Sequence, residues 1–167
     1  MSVTREEAIE RLLAHYQEPY RCAERPAAAS PELAATAFMH LVSDRKILSL
    51  AKVGIVESDD FVYIYSVEEL TPEVFDRCCT AALTDALKRV DPNPNHNFSL
   101  VSVFFICDKV APETTAAVKK MKYHKDYENP EHGWVDLRLA AVEVGGGTRC
   151  ANPMGKVLLN IYKASVN

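Results

Sequence analysis

The chain reads as an α/β or α+β domain, a mixed sheet of four or five strands with helices on both faces, in the order αα-ββ-α-β-α-β-α. Three observations predict this. The run Phe98 to Cys107, FSLVSVFFIC, is short and nearly all apolar, as a strand covered on both faces must be. Segments opened by Pro72 and Pro112, each with apolar residues at helical spacing, precede and follow it. A second apolar run, Trp134 to Val144, comes next, and strand, helix and strand in succession predict a crossover with parallel pairing.

The remaining elements follow in chain order. Thr4 with Glu7 forms a capping box and starts a helix that carries Ile9, Leu12, Leu13 and Tyr16 on one side and ends before Pro19. After a connection rich in Pro and Ala, Ser30-Pro31 predicts a second helix through Leu33, Ala37, Phe38 and Leu41. Residues 1–42 are thus expected to form a helical flank and residues 43–167 the α/β core of a single domain. From Ile47 the period changes: Leu48, Leu50, Val53, Ile55 and Val56 precede a turn at Ser58-Asp59-Asp60, and Phe61 to Val67 is β-branched and aromatic, which predicts a hairpin. Thr71-Pro72 caps a helix with a stripe of Phe75, Cys78, Cys79, Ala82, Leu83, Leu87 and Val90, stopped by DPNPN at 91–95. The helix from Pro112 runs to about Tyr123. Gly145-Gly146-Gly147 frees the chain to return as a short strand over 148–151, and Asn152-Pro153 opens a last helix with Val157, Leu158, Ile161 and Tyr162.

Composition bounds the function. With 48% hydrophobic and 25% charged residues, 167 residues bury a core without staples. A net charge of -4 from 23 acids and 19 bases is mild, so nothing global calls for nucleic acid or an anionic membrane as partner. No apolar run approaches the roughly 20 residues of a membrane span, and MSVTREEAIERLL lacks a signal-peptide core, so a cytoplasmic location is expected. The five cysteines are odd in number and include no CxxC pair, which fits a reducing compartment, with Cys78 and Cys79 as packing residues.

Several catalytic classes lack their signatures. GGGTRCANPMGK follows a strand and precedes a helix, but position five before Gly155 is Cys150 and Val157 replaces the hydroxyl, so it is no nucleotide-phosphate loop. Neither G-x-S-x-G nor H-E-x-x-H occurs, and the histidines, His96 included, lack zinc spacing. Neither a metal nor a cofactor is expected.

The densest chemistry lies between Lys119 and Arg138. Lys119, Lys120, Lys122, His124 and Lys125 form a basic ridge at a helix end, able to hold a phosphate or carboxylate. The plainer reading is that such cations oppose the helix dipole, at about 0.3–1 kcal/mol each. On the next strand Trp134, Asp136 and Arg138 share one face, with Arg138 expected to pair with Asp136, Trp134 to offer a stacking wall and His132 to stand nearby. The expected ligand-binding set is Lys120, Lys122, His124, Lys125, His132, Trp134, Asp136 and Arg138. Because open α/β sheets favour ligands at the strands' carboxyl ends, Asp108, Lys109 and the glycine loop form a second candidate region.

The leading expectation is a non-enzymatic, regulatory domain that binds a small anionic ligand bearing phosphate or carboxylate. One alternative is a metal-dependent phosphodiesterase similar to restriction-endonuclease-like cores, with Glu57, Asp60, Asp44 and Lys46 around the hairpin, although the one [DE]-x-K triplet, Asp44-Arg45-Lys46, precedes the hairpin. Another is a structural protein that forms a homodimer through an exposed sheet face of Phe61, Tyr63 and Tyr65.

Asp108, HKDY at 124–127, HGWVDLRLAAVEV at 132–144 and NPMG at 152–155, with the hairpin ending FVYIY, resemble a pattern in small bacterial proteins that have no assigned activity. The resemblance covers the C-terminal two-thirds. It implies a self-contained domain and a bacterial source, and it carries no mechanism or catalytic residues.

Overall fold

The capping box at Thr4 forms as expected: its hydroxyl accepts from the Glu7 amide, the Glu7 carboxylate accepts from the Thr4 amide, and α1 spans Arg5–His15. This computed structural model describes residues 2–24, 30–47, 51–128 and 131–166. After α1 come β1 (Arg21–Glu24), β2 (Leu33–Ile47), β3 (Ala51–Leu70), α2 (Pro72–Arg89), β4 (His96–Val110) and α3 (Pro112–Lys120). They are followed by β5 (His124–Asp126), β6 (Trp134–Glu143), β7 (Arg149–Ala151), a 3₁₀ turn at Pro153–Gly155 and α4 (Lys156–Val166). No helix among the described residues is long and apolar enough to cross a membrane.

Among the described residues the sheet is mixed but larger than expected, with seven strands in the order β1-β2-β3-β4-β6-β5 and β7 also paired to β6. β1, β2 and β3 are antiparallel, whereas β3, β4 and β6 run parallel, so the pairing expected across α3 is present and is repeated across α2. Two expectations are corrected. The segment read as a second helix is β2: Ala35 and Ala37 are buried at period two, and pairing with β3 outweighs the helix preference of an Ala-rich stretch. Ser58-Asp59-Asp60 is no turn but the middle of β3, paired with β2 on one side and β4 on the other. The hairpin connection over 48–50 and the Pro- and Ala-rich connection over 25–29 lie outside the described residues.

Two cores sandwich the sheet. On one face Phe61, Tyr63, Val103, Phe105, Leu137 and Leu139 pack beneath α2 and α3; on the other Val62, Ile64, Phe104, Ile106, Ala140 and Val142 meet α1 and α4. Phe61, Tyr63 and Tyr65 are therefore not an exposed face. Each is at most 3% exposed, and the two hydroxyls donate to Asp85 and to the Cys78 carbonyl of α2.

β5 and β7 share the outer edge of β6, and Asn152 closes the gap between them. Its side chain accepts from the Leu139 amide and donates to the carbonyls of Leu137 and Met121. The turn that follows comes so close that a Cβ on Gly155 would lie 2.0 Å from the Leu139 carbonyl oxygen. The NPMG sequence is thus a sheet-edge device. HGW has a similar role at the start of β6: Gly133 adopts φ +80°, and a Cβ there would lie 2.3 Å from the Asn97 carbonyl oxygen.

Candidate ligand-binding face

The parallel strands define the site through their register. On β6, Trp134, Asp136 and Arg138 stand opposite Phe98, Leu100 and Ser102 of β4, and alternation places all six on the face that carries α1 and α4. The helix cores rest on the later half of these strands, at Ile64, Phe104, Ile106, Ala140 and Val142. Nearer the strand beginnings Phe98, Leu100, Trp134 and Asp136 are only half-buried. A stretch of sheet face is left open between Tyr16 and Tyr20 on one side and Met154 on the other.

Arg138 sits at the inner end of this stretch. Its Nη2 donates to Asp60 Oδ2 at 3.1 Å, and Nε and Nη2 donate to Ser102 Oγ at 2.9 and 2.7 Å. Ser102 in turn donates to Asp60 Oδ1 at 2.7 Å, and Tyr20 donates to Asp60 Oδ2 at 2.7 Å. The expected partner is corrected here: Arg138 is held by Asp60 from β3, because Asp136 is taken by His124 across the β5–β6 pair. Among the described residues Nη1 of Arg138 makes no hydrogen bond, and it is not sealed from solvent. Among the described residues the Tyr16 hydroxyl, buried nearby, has no hydrogen-bond partner; burial and then the Asp60 charge push its ionisation well above the ordinary tyrosine value. Burial followed by Asp60 does the same to Tyr20.

At the outer end His124 lies between two carboxylates, Nδ1 2.6 Å from Asp136 Oδ1 and Nε2 3.0 Å from Asp126 Oδ1. A carboxylate only accepts, so a ring serving both must carry both protons. The hydrogen bonds to Asp136 and then to Asp126 raise the imidazole above its ordinary value. Lys122, His124 and Asp136 share a small depression with Asn152, Pro153 and Met154. Beyond it, the Trp134 ring stacks on Phe98 with centroids 6.2 Å apart and planes at 27°.

The expected set is thereby divided. Lys122, His124, Trp134, Asp136 and Arg138 lie along this open stretch. Lys125 points to the opposite face, its ammonium 5.1 Å from the centre of the Tyr127 ring, and Lys120 ends α3 in solvent. His132 contributes its carbonyl, 2.6 Å from His96 Nδ1, to the turn before β6. At the other end of the sheet Asp108 takes Arg5, Lys109 takes Glu69, and Glu143 accepts from the Val110 and Thr148 amides beside the glycine loop. Those groups tie the strand ends together.

The residues of the phosphodiesterase alternative lie apart. Asp44 faces Ile55 and Asp60 faces Met39, five positions along the ribbon, or about 16 Å. Glu57 alternates to the opposite face from Asp60 and accepts from Asn93, and the side chain of Lys46 lies outside the described residues. Among the described residues no group of three or more His, Cys, Asp or Glu side chains is placed to hold a metal ion.

Sequence reasoning named Asp60 only for the phosphodiesterase alternative and missed it as the partner of Arg138, and it missed Ser102, Tyr16 and Tyr20 as residues of this site. The available signal was the unbroken β-rich sequence on both sides of Ser58-Asp59-Asp60, which would have put Asp60 inside a strand; that strand is separated from the Arg138 strand by β4, which carries Ser102 between the two.

Fold and site together define a three-layer α/β domain with an open sheet face that presents a half-buried, anchored arginine at its inner end and an aromatic stack further out. The chain belongs to a family described as a domain of unknown function, DUF8052, whose model matches residues 4–164. No curated protein and no solved structure matches it.

Proposed function

We propose that the protein binds a small anionic ligand, bearing carboxylate or phosphate, on this open face and acts as a regulatory domain, not as an enzyme. The observation that carries the reading is Arg138: Asp60 and Ser102 fix its guanidinium, and among the described residues Nη1 remains as a spare donor that is not sealed from solvent. An arginine immobilised this way loses little freedom on taking up an anion, and its planar fork suits carboxylate or phosphate. The stacked Trp134 and Phe98 supply a flat apolar wall, and Lys122 and His124 supply positive charge further out. The phosphodiesterase and homodimer alternatives have no comparable observation in their favour.

Thermal melts with a panel of carboxylates, nucleotides and sugar phosphates test the reading. A binding ligand raises the melting temperature in proportion to the logarithm of its concentration above Kd. Arg138→Ala would strand the buried Asp60 charge and confound the melt. Arg138→Lys, which keeps the charge and loses the fork, is the better variant, with Trp134→Ala as a partner on the rim. Both variants are expected to reduce the ligand-induced shift. A panel that shifts nothing contradicts the proposal.

A further inference from the structure

Resting on that reading, we infer that the ligand is a zwitterion with a flat apolar body, of the chemical class of an aromatic α-amino acid, and not a phosphate dianion. Two spare polar atoms carry this. Arg138 keeps Nη1 free as a donor, and Asp136 gives only Oδ1 to His124, so that Oδ2 remains as an acceptor that is also not sealed from solvent among the described residues. The two residues are same-face neighbours on β6, with Cα atoms about 6.6 Å apart at strand spacing. One end of the face thus offers a hydrogen-bond donor with positive charge, and the adjacent position offers an acceptor with negative charge. Arg138 leans toward β4 and β3 and Asp136 toward β5, so a ligand that carries both a carboxylate and an ammonium would lie between them over β6.

Charge balance points the same way. Along the face the cations Arg138, His124 and Lys122 are matched by the carboxylates of Asp60, Asp136 and Asp126. A dianion would meet no net attractive field and would lie against Asp136, whereas a molecule carrying both signs finds complementary groups at both ends. The ground beside them is apolar: Leu100 is opposite Asp136, and Phe98 stacks with Trp134 one step outward. A ring attached to the amino acid carbon would lie over Leu100 and against this stack.

The test is a titration of the whole protein, followed by the fluorescence of its single Trp134 and by calorimetry. Four probes share one ring: L-phenylalanine, benzoate, 2-phenylethylamine and phenyl phosphate. The expected result is that L-phenylalanine binds at least tenfold more tightly than each of the other three, and that Asp136→Asn abolishes this margin over benzoate. If benzoate or phenyl phosphate binds as tightly as the amino acid, the zwitterion inference is overturned while the anion-binding face stands. If the amine alone matches the amino acid, the inference fails and Arg138 has no part in binding. If none of the four binds and the wider anion panel also shifts nothing, both readings fall.

Discussion

At the scale of single residues, polar side chains here hold the sheet together where strands run out. Asn152 is 1% exposed and serves three backbone groups between β5 and β7. Asn152→Ala would leave the buried Leu139 amide and two carbonyls unpaired, and is expected to cost about 2–4 kcal/mol in urea denaturation. A loss below about 0.5 kcal/mol would mean that the gap closes in another way. His124 gives a pH prediction. Its folded value is raised by Asp136 and then by Asp126, so the stability it supplies is whole below the unfolded value near 6.5 and is lost as pH rises through the higher folded value. The melting-temperature advantage of the native protein over His124→Gln should be present at pH 6 and gone by pH 9; an advantage that does not change with pH would contradict this. Asp136 and Arg138 were legible in the sequence as residues of one face, since alternation alone fixes that. Their partners were not, because pairing depends on which strand lies alongside, and Asp60 lies 78 positions before Arg138.

At the scale of elements, local signals worked where a cap or a break dominates. Thr4 and Thr71 cap α1 and α2, and Pro112 opens α3, each where the sequence placed it. The reading failed where pairing partners decide. β2 carries a helix-like start at Ser30-Pro31 and an alanine-rich opening, yet burial of Ala35 and Ala37 against α1 makes it a strand. β1 and β5, of four and three residues, are too short for any period to show. Glycines at element starts are also tertiary features. Gly133 combines φ +80° with close approach to the carbonyls of Asn97 and His96, so Gly133→Ala is expected to destabilise by about 2–4 kcal/mol, from backbone strain and overpacking together. Calorimetric melting checks this. A change smaller than that of Gly145→Ala, where a Cβ would meet nothing within 4 Å, would show that the turn yields easily.

At the scale of the whole molecule, α2 and α3 cover one face of the sheet, whereas α1 and α4 cover the later half of the parallel strands on the other and leave their beginnings open. Binding at the proposed face would invert the common preference of open α/β sheets for ligands at the carboxyl ends. In this protein those ends are closed by Glu143, whose carboxylate accepts from two backbone amides, and by the ion pairs of Arg5 and Lys109. The sheet was legible as mixed, with helices on both sides, from the two apolar runs and the proline-opened helices between them. Its full width was hidden in short edge strands. The site was legible in its β6 half and hidden in its β3 half, where two adjacent aspartates suggested a turn. The most direct measurement follows the Arg138 Nε–H resonance and the Trp134 indole resonance by ¹⁵N NMR while L-phenylalanine is added to the whole protein. If the open face is the binding site, both shift along one saturating curve and the Arg138→Lys variant loses the Trp134 response. Saturable binding that leaves both resonances in place would put the ligand elsewhere and refute the assignment of this face.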